Sequence, residues 1–182
     1  SDDPTGQWWT YVLAGNPINN LAWFDFPSIG VSDNDLYISG NLFDADDNYV
    51  QSLVYQVEKI NGFTGGSIDL VYYNGLESPT GNSLFTMVPI SHGLDESVGP
   101  GLFFVSSHFD GGEEVFLSWT TGNVNQNPIL ETISVPVPSY SISGDGLQLG
   151  SSDFMSTNDC RVNSGFFADE TIHFVFNSES QS

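Results

Sequence analysis

Two aspartates stand at matching places in a pattern that recurs along the chain. Asp25 and Asp159 each come just before a stretch that reads as the first strand of a repeated unit. Acid cleavage of a glycosidic bond uses two carboxyl groups held about 5–9.5 Å apart. One hypothesis is therefore a glycan-cleaving enzyme that uses Asp25 and Asp159. The alternative is that each aspartate caps a turn by bonding its own backbone, and the chain has 23 acidic residues from which such a match could arise by coincidence.

Arg161 and His92 are the side chains predicted to bind a ligand. Arg161 is one of only two basic residues, and its guanidinium could hold an anionic sugar, such as a uronic acid, through forked hydrogen bonds. The alternative is that Arg161 is buried and binds a neighbouring carboxylate, Asp159 or Asp153. His92 follows a predicted first strand and could line the same site. The three histidines match no zinc-ligand spacing, so a structural role is the simpler expectation for each.

Asp44, Asp46 and Asn48 place side-chain oxygens at alternate positions, as at the start of a calcium-binding loop. The glycine expected at the sixth position is Tyr49, and the glutamate expected at the twelfth is Tyr55. The segment is therefore not an EF-hand. A simple calcium loop between two strands remains a hypothesis, and no other cofactor is predicted.

The segments that must position these residues are short β-strands, bounded by glycine, proline, asparagine and aspartate clusters. Two strands lie within residues 26–43, joined by a polar turn. Further strands are predicted over 7–13, 52–58, 67–73, 84–90, 101–107, 114–119, 129–135, 161–167 and 171–176. No stretch has convincing helical periodicity. Short connections between successive strands predict an antiparallel meander.

The strand pattern repeats at a nearly constant period. Second strands begin near Leu36, Leu102 and Ile172, at spacings of 66 and 70 residues. A four-stranded unit of this length is typical of a β-propeller blade. The predicted fold is all-β, a propeller segment of about three four-stranded antiparallel blades whose ring is incomplete in one chain. We divide it into residues 1–23 (the last strand of a preceding blade and a connection), 24–80 (a blade), 81–140 (a blade) and 141–182 (the start of a further blade). The missing blades would come from a longer chain or from a homodimer.

The charge balance restricts the partners of this chain. Its 182 residues carry a formal net charge of −21, so no basic surface is available to neutralise phosphate, and nucleic acid is excluded as a partner. No apolar run approaches the roughly 20 residues of a membrane helix, so membrane insertion is not expected. An aromatic content of 14% indicates a folded protein. Acidic residues scattered along the chain suit high salt, which favours a marine or halophilic, extracellular or cell-surface setting.

Three short motifs carry a resemblance to a known group. They are Asp2-x-Pro4-Thr5-Gly6-x-Trp8, Trp23-x-Asp25-x-Pro27-x-Ile29-Gly30 and Thr157-Asn158-Asp159-x-Arg161-Val162. Together they resemble a poorly characterised group of secreted bacterial and archaeal β-propeller proteins. The resemblance implies an extracellular location and a longer parent chain, and it implies no catalytic residue. The predicted function is a non-catalytic extracellular binding or scaffold module with a protein or glycan partner, and the alternative is the glycan-cleaving enzyme.

Overall fold

A computed structural model describes residues 3, 5–19, 21–93 and 98–179 of the chain. Within these residues the protein is all-β, with thirteen strands and one short α-helix. Asp2 and Pro4 of the first motif lie outside the described residues. No helix in the described part of the chain is long and apolar enough to cross a membrane.

The first sheet is an antiparallel meander of four strands, as predicted. Its strands are β1 (Trp23–Val31), β2 (Asp35–Phe43), β3 (Tyr49–Glu58) and β4 (Leu70–Tyr73), and they neighbour one another in that order. The predicted polar turn joins β1 to β2, where the Ser32 amide donates to the Asp35 carbonyl at 2.9 Å. A six-residue helix, α1 (Lys59–Thr64), occupies the connection between β3 and β4, in which only a loop was predicted.

The second sheet repeats this arrangement. The chain forms β5 (Val88–Pro89), β6 (Ser91–His92), β7 (Phe103–Ser107), β8 (Gly111–Thr120) and β9 (Leu130–Ser141). The sheet has the order β5-β7-β8-β9, and all its neighbours are antiparallel. A 3-10 turn, Val124–Gln126, lies between β8 and β9. The predicted first strand over 84–90 is thus shorter than expected, and the chain continues into β6, which belongs to a different sheet.

The third sheet contains the last two strands. After a small hairpin of β10 (Gly146–Leu147) and β11 (Phe154–Met155), the chain forms β12 (Val162–Ala168) and β13 (Thr171–Phe176). The sheet order is β13-β12-β6. β12 and β13 are antiparallel, whereas β6 pairs with β12 in parallel.

The first strands of the three units pack side by side. β5 contacts both β1 and β12. A Cβ added at Gly30 of β1 would come within 2.6 Å of Pro89 of β5, and one added at Gly165 of β12 would come within 2.5 Å of the Ile90 side chain. These glycines let neighbouring strands approach more closely than larger residues would allow. The result is a row of three adjacent first strands along one edge of the molecule.

The largest buried cluster lies between the first and second sheets. Alternation along the strands turns Tyr37 and Val54 of the first sheet toward Phe104 and Phe116 of the second. Tyr37 and Phe104 meet edge to face, with ring centroids 5.7 Å apart. A smaller cluster joins the second sheet to β12 and β13 through Val88, Ile90, Val105 and Val162.

The strand predicted over residues 7–13 is not formed. This segment has no strand partner among the described residues. It lies instead across the outer face of the first sheet, where Leu13 packs against a cluster that includes Leu42 and Leu53. The Tyr11 hydroxyl donates to the carbonyl of Gly66 at 3.0 Å and to that of Gly62 at 3.2 Å. Side-chain contacts with the sheet and with the end of α1 hold the segment in place of a backbone ladder.

Candidate functional site

Asp159 and Arg161 form a closed ion pair at the start of β12. The Arg161 Nη2 lies 2.5 Å from Asp159 Oδ2, and its Nε lies 2.8 Å from Oδ1 and 3.0 Å from Oδ2. The Arg161 backbone amide also donates to Asp159 Oδ1, at 3.0 Å. Both side chains are largely buried, with 12% of Arg161 and 15% of Asp159 exposed. The alternative prediction, in which Arg161 binds the neighbouring Asp159, describes this geometry.

Two phenylalanine rings cover the Arg161 guanidinium. Its Cζ lies 4.4 Å from the ring centroid of Phe26 and 4.8 Å from that of Phe85. Both distances are within the range of a cation–π contact. Arg161 therefore joins the starts of all three units, since Phe26 lies in β1, Phe85 just before β5, and Arg161 just before β12.

These three residues occupy equivalent positions in their units. In each unit one pair sets a first-strand residue opposite an aromatic residue of the second strand next to the close strand contact, and these pairs are Gly30 and Tyr37, Pro89 and Phe104, and Gly165 and Phe174. Phe26, Phe85 and Arg161 each stand four residues before that position. Side chains from the starts of three strand groups thus meet at Arg161.

The ion pair keeps Asp159 ionised. Burial by itself would raise the pKa of Asp159, but the hydrogen bonds and the charge of Arg161 outweigh it and hold the pKa below its usual value. A general acid in glycoside cleavage needs the opposite shift. Asp159 takes up Nε and Nη2 of Arg161, while Nη1 is buried without a hydrogen-bond partner.

Asp25 lies inside β1 and not before it as predicted. It is half-buried and stands opposite Asn41 of β2. The register between the two strands shifts directly after Asp25, and Phe26 adopts a left-handed φ of 52°. Such a φ is strained for an aromatic residue, and this bulge brings the Phe26 ring over Arg161. Asp25 is therefore the chain neighbour of Phe26, whose ring covers Arg161, while the carboxylate of Asp159 is occupied by Arg161.

His92 connects the first strands of two units. Its Nε2 lies 2.9 Å from the Val31 carbonyl at the end of β1, and its Nδ1 lies 3.0 Å from the Gly93 carbonyl. Its backbone lies in β6, which pairs with β12. Both ring nitrogens thus face main-chain carbonyls, so the geometry supports a structural role. Ligand binding by His92 stays a prediction.

The predicted calcium loop is closed by its own first aspartate. Asp44 Oδ1 accepts from the amides of Asp46 and Asn48, each at 2.9 Å, and the Asn48 side chain also donates to both carboxylate oxygens. These bonds lower the pKa of Asp44. No group of three or more His, Cys, Asp or Glu side chains suited to a metal ion lies within the described ranges. Calcium at this loop stays a prediction.

A polar cavity beside α1 was not predicted from the sequence. It has a volume of about 390 Å³, and its lining includes Asp33, Asp35, Glu58 and Lys59. Asp35 is only 1% exposed. Its Oδ2 accepts from the Gln56 amide at 2.6 Å and from the Val124 backbone amide at 3.1 Å. Burial raises the pKa of Asp35, against these two hydrogen bonds.

The sequence offered no signal for this cavity. Asp35 reads as one more polar residue in the turn that precedes β2. Only the strand register places it opposite Glu58 of β3, and only the packing of the second sheet brings the 3-10 turn over it.

A second, apolar cavity of about 420 Å³ lies between the N-terminal segment and the first sheet. Aromatic side chains of the segment and of α1 contribute to its lining, namely Trp8, Trp9, Tyr11 and Phe63. Aliphatic side chains of the sheet contribute as well, namely Val31, Leu36, Ile38 and Val57. The cavity depends on the position of the N-terminal segment, which supplies three of its aromatic side chains.

Comparison with known proteins leaves the chain unassigned. A scan against protein-family models found no match, and searches of curated proteins and of solved structures found none either. The resemblance to secreted propeller proteins therefore stays a prediction carried by the three motifs.

Proposed function

We propose that this chain is a β-propeller segment that acts as a non-catalytic binding or scaffold module of an extracellular or cell-surface protein. The observation that carries the non-catalytic part is the closed Asp159–Arg161 pair under the rings of Phe26 and Phe85. Asp159 and Arg161, which the sequence predicted as catalytic and ligand-binding residues, instead form the contact at which three units meet. A protein or a glycan is the proposed partner.

Three features support the blade arrangement. Each of the first two units is a four-stranded meander. The first strands of all three units are adjacent. Equivalent residues of the three units meet at Arg161. In a propeller the first strand of each blade faces the common axis, and closed propellers have about four to eight blades. The remaining blades would come from a longer chain or from a second copy.

The alternative function, glycan cleavage through Asp25 and Asp159, has less support. The depressed pKa of Asp159 opposes its use as an acid, and Arg161 leaves its oxygens little freedom to reach a substrate. The high negative charge supports the extracellular, halophilic setting, because dissolved ions screen the repulsion between acidic side chains.

A paired assay tests the proposal. The purified chain is incubated with a panel of neutral and acidic polysaccharides, and both binding and release of reducing ends are measured. We expect binding of at least one polysaccharide, or capture by a surface protein, with no turnover. Turnover that is abolished in both Asp25→Asn and Asp159→Asn but retained in Asp153→Asn would establish the enzyme instead. Asp153 is the matched control because it is an exposed aspartate near the same region.

The mass in solution tests the blade arrangement separately. Light scattering after size exclusion measures whether the chain, 19.8 kDa as a monomer, associates. We expect a dimer or larger species. A stable, fully soluble monomer would count against a propeller segment whose end faces need partners.

A further inference from the structure

The two cavities beside α1 share part of their lining, and together they are named the composite site. Glu58, Lys59 and Phe63 line both of them. The apolar cavity lies on the side of the N-terminal segment, and the polar cavity lies toward the 3-10 turn of the second unit. A single ligand of moderate size could therefore lie against the aromatic and aliphatic lining of the apolar cavity and reach Glu58, which also lines the polar cavity. The combined volume is in the range of small-molecule sites.

Aromatic side chains around the apolar cavity remain accessible. The exposed fractions of Trp8, Trp9, Tyr11 and Phe63 are 63%, 47%, 37% and 71%. Trp9 is fixed against the end of α1, where Gly65 has a φ of 77° and an added Cβ would come within 2.5 Å of the indole. Tyr11 is fixed by its hydroxyl bonds to the carbonyls of the same turn. Two of the four rings are thus held in place before any ligand arrives.

The charges at the site favour a cation. Asp33 and Glu58 contribute carboxylates to the polar cavity. The one cationic side chain in its lining, Lys59, has its Nζ bound to the Ser32 carbonyl. The whole chain carries a net charge of −21, which raises the local concentration of cations and repels anions. An anionic or phosphorylated ligand is disfavoured for the same reason.

We infer that this composite site binds a small organic cation, a quaternary or tertiary ammonium with an apolar body. Aromatic faces attract an ammonium group through their quadrupoles, and a methylated ammonium loses less hydration than a primary amine on entering such a site. Glu58, which lines the apolar cavity beside the aromatic rings, supplies the countercharge, and the aliphatic floor of the sheet takes the apolar body. This inference names a ligand for the proposed binding module and rests on that role, but it does not depend on the blade arrangement.

Choline and its neutral isostere 3,3-dimethylbutan-1-ol are the probes. Calorimetric titration of the full chain in low salt measures both affinities. The two molecules have nearly the same shape, so hydrophobic burial alone predicts similar binding. We expect choline to bind at least about fivefold more tightly, as a cation–π contribution of about 1 kcal/mol implies. Equal affinities, or tighter binding of the alcohol, would assign the cavity to neutral apolar ligands and overturn the inference.

Substitutions locate the binding. Phe63→Leu removes an accessible ring but keeps an apolar side chain, and Trp9→Ala removes the fixed indole. Each should weaken choline binding about fivefold. Phe154→Ala, at an exposed ring on the distant β11 hairpin, should leave it unchanged. If all three variants bind choline like the parent, the cation is held by general charge and the site is wrong.

The outcomes separate this inference from the proposed function. Absence of choline binding together with polysaccharide or protein binding would reject the organic cation and leave the binding module intact. Turnover of a polysaccharide would reject the non-catalytic module whatever choline does. Choline binding that disappears when the chain associates, as measured by light scattering in the same samples, would show that a second copy occupies the cavity.

Discussion

At the scale of single residues, Arg161 binds the Asp159 carboxylate that was predicted to act in catalysis. It is one of only two basic residues, and it contacts a carboxylate and two aromatic rings at once. A planar guanidinium can make forked hydrogen bonds while stacking between rings, which an ammonium group cannot do. The residue therefore stabilises the junction of three units through its shape as well as its charge.

Replacing Arg161 by lysine should destabilise the protein even though the charge is kept. The variant loses the fork to Asp159 and most of the contact with Phe26 and Phe85, so we expect the free energy of unfolding to fall by about 2 kcal/mol. Chemical denaturation followed by tryptophan fluorescence measures it. Lys59→Arg is the control, because Lys59 contacts a single carbonyl. An Arg161→Lys variant as stable as the parent would contradict the structural role.

The Asp159 pair also predicts a pH dependence. The folded-state pKa of Asp159 lies below its usual value, so its ionised form stabilises the folded protein. That contribution is complete above the unfolded pKa of about 3.9 and is lost as the pH falls through the lower folded value. The stability difference between the parent and Asp159→Asn should therefore be constant above about pH 5 and shrink in acid. A stability difference that grows in acid would mean that the folded-state pKa of Asp159 is raised and not lowered.

At the scale of elements, the close row of first strands depends on small residues. Gly30 of β1 faces Pro89 of β5 and Leu102, and Gly165 of β12 faces Ile90. A strand with larger side chains at these positions could not approach its neighbour without moving it. Glycine is thus used here for close packing between units and not for a turn.

Gly30→Ala tests this packing. The new methyl group would stand 2.6 Å from both Pro89 and Leu102, so we expect destabilisation of about 1–3 kcal/mol from overpacking. Gly144→Ala is the matched control, because an added Cβ at Gly144 meets nothing within 4 Å. Thermal melts of both variants give the comparison. Equal melting temperatures would show that β1 and β5 are not in close contact.

The loop between β2 and β3 is the predicted calcium site, and calcium binding there can be tested. If calcium binds at Asp44, Asp46 and Asn48, the melting temperature should rise with added calcium and fall in EDTA, because a ligand that binds only the folded state stabilises it. Asp46→Asn should reduce this response. The internal hydrogen bonds of Asp44 are sufficient to hold the loop conformation without a metal. A melting temperature that does not change in EDTA would contradict calcium binding.

At the scale of the whole molecule, charge and exposed apolar surface act in opposite directions. A net charge of −21 resists compaction and association. At the same time, Ile29 and Val31 of β1 and Phe166 and Val175 of the third sheet keep 68%, 42%, 51% and 61% of their surface exposed. Exposed apolar surface of this kind is typical of a face that packs on a partner.

Salt should therefore stabilise the protein. Raising sodium chloride from 0.05 to 0.5 M shortens the Debye length severalfold, from more than 10 Å to less than 5 Å. Screening of the acidic side chains should raise the melting temperature by several degrees and promote association of the chain. Glucose at matched osmolality is the control for changes in water activity. A melting temperature that stays constant or falls with salt would contradict the high-salt interpretation.

The order of strands could be derived from the sequence because it is a local property. Alternating apolar residues and turn clusters place β2, β3, β7, β8, β12 and β13 correctly, and short connections make the antiparallel meander the natural pairing. The strand predicted over residues 7–13 does not form, because local composition does not decide whether a segment pairs with a sheet. Trp8, Trp9 and Tyr11 have the composition of a strand, but whether a strand forms depends on a free edge elsewhere in the molecule.

The sequence by itself thus determined the all-β class, the four-stranded antiparallel sheets and the excess of negative charge. Each of these depends on composition or on residues close together in the chain. The tertiary structure alone decided that Phe26 and Phe85 cover Arg161, that Asp35 is buried, and that the N-terminal segment and α1 enclose an aromatic cavity. Those features bring together residues that lie far apart in the chain, and with 23 acidic residues available no local pattern indicated that Asp35 would be buried.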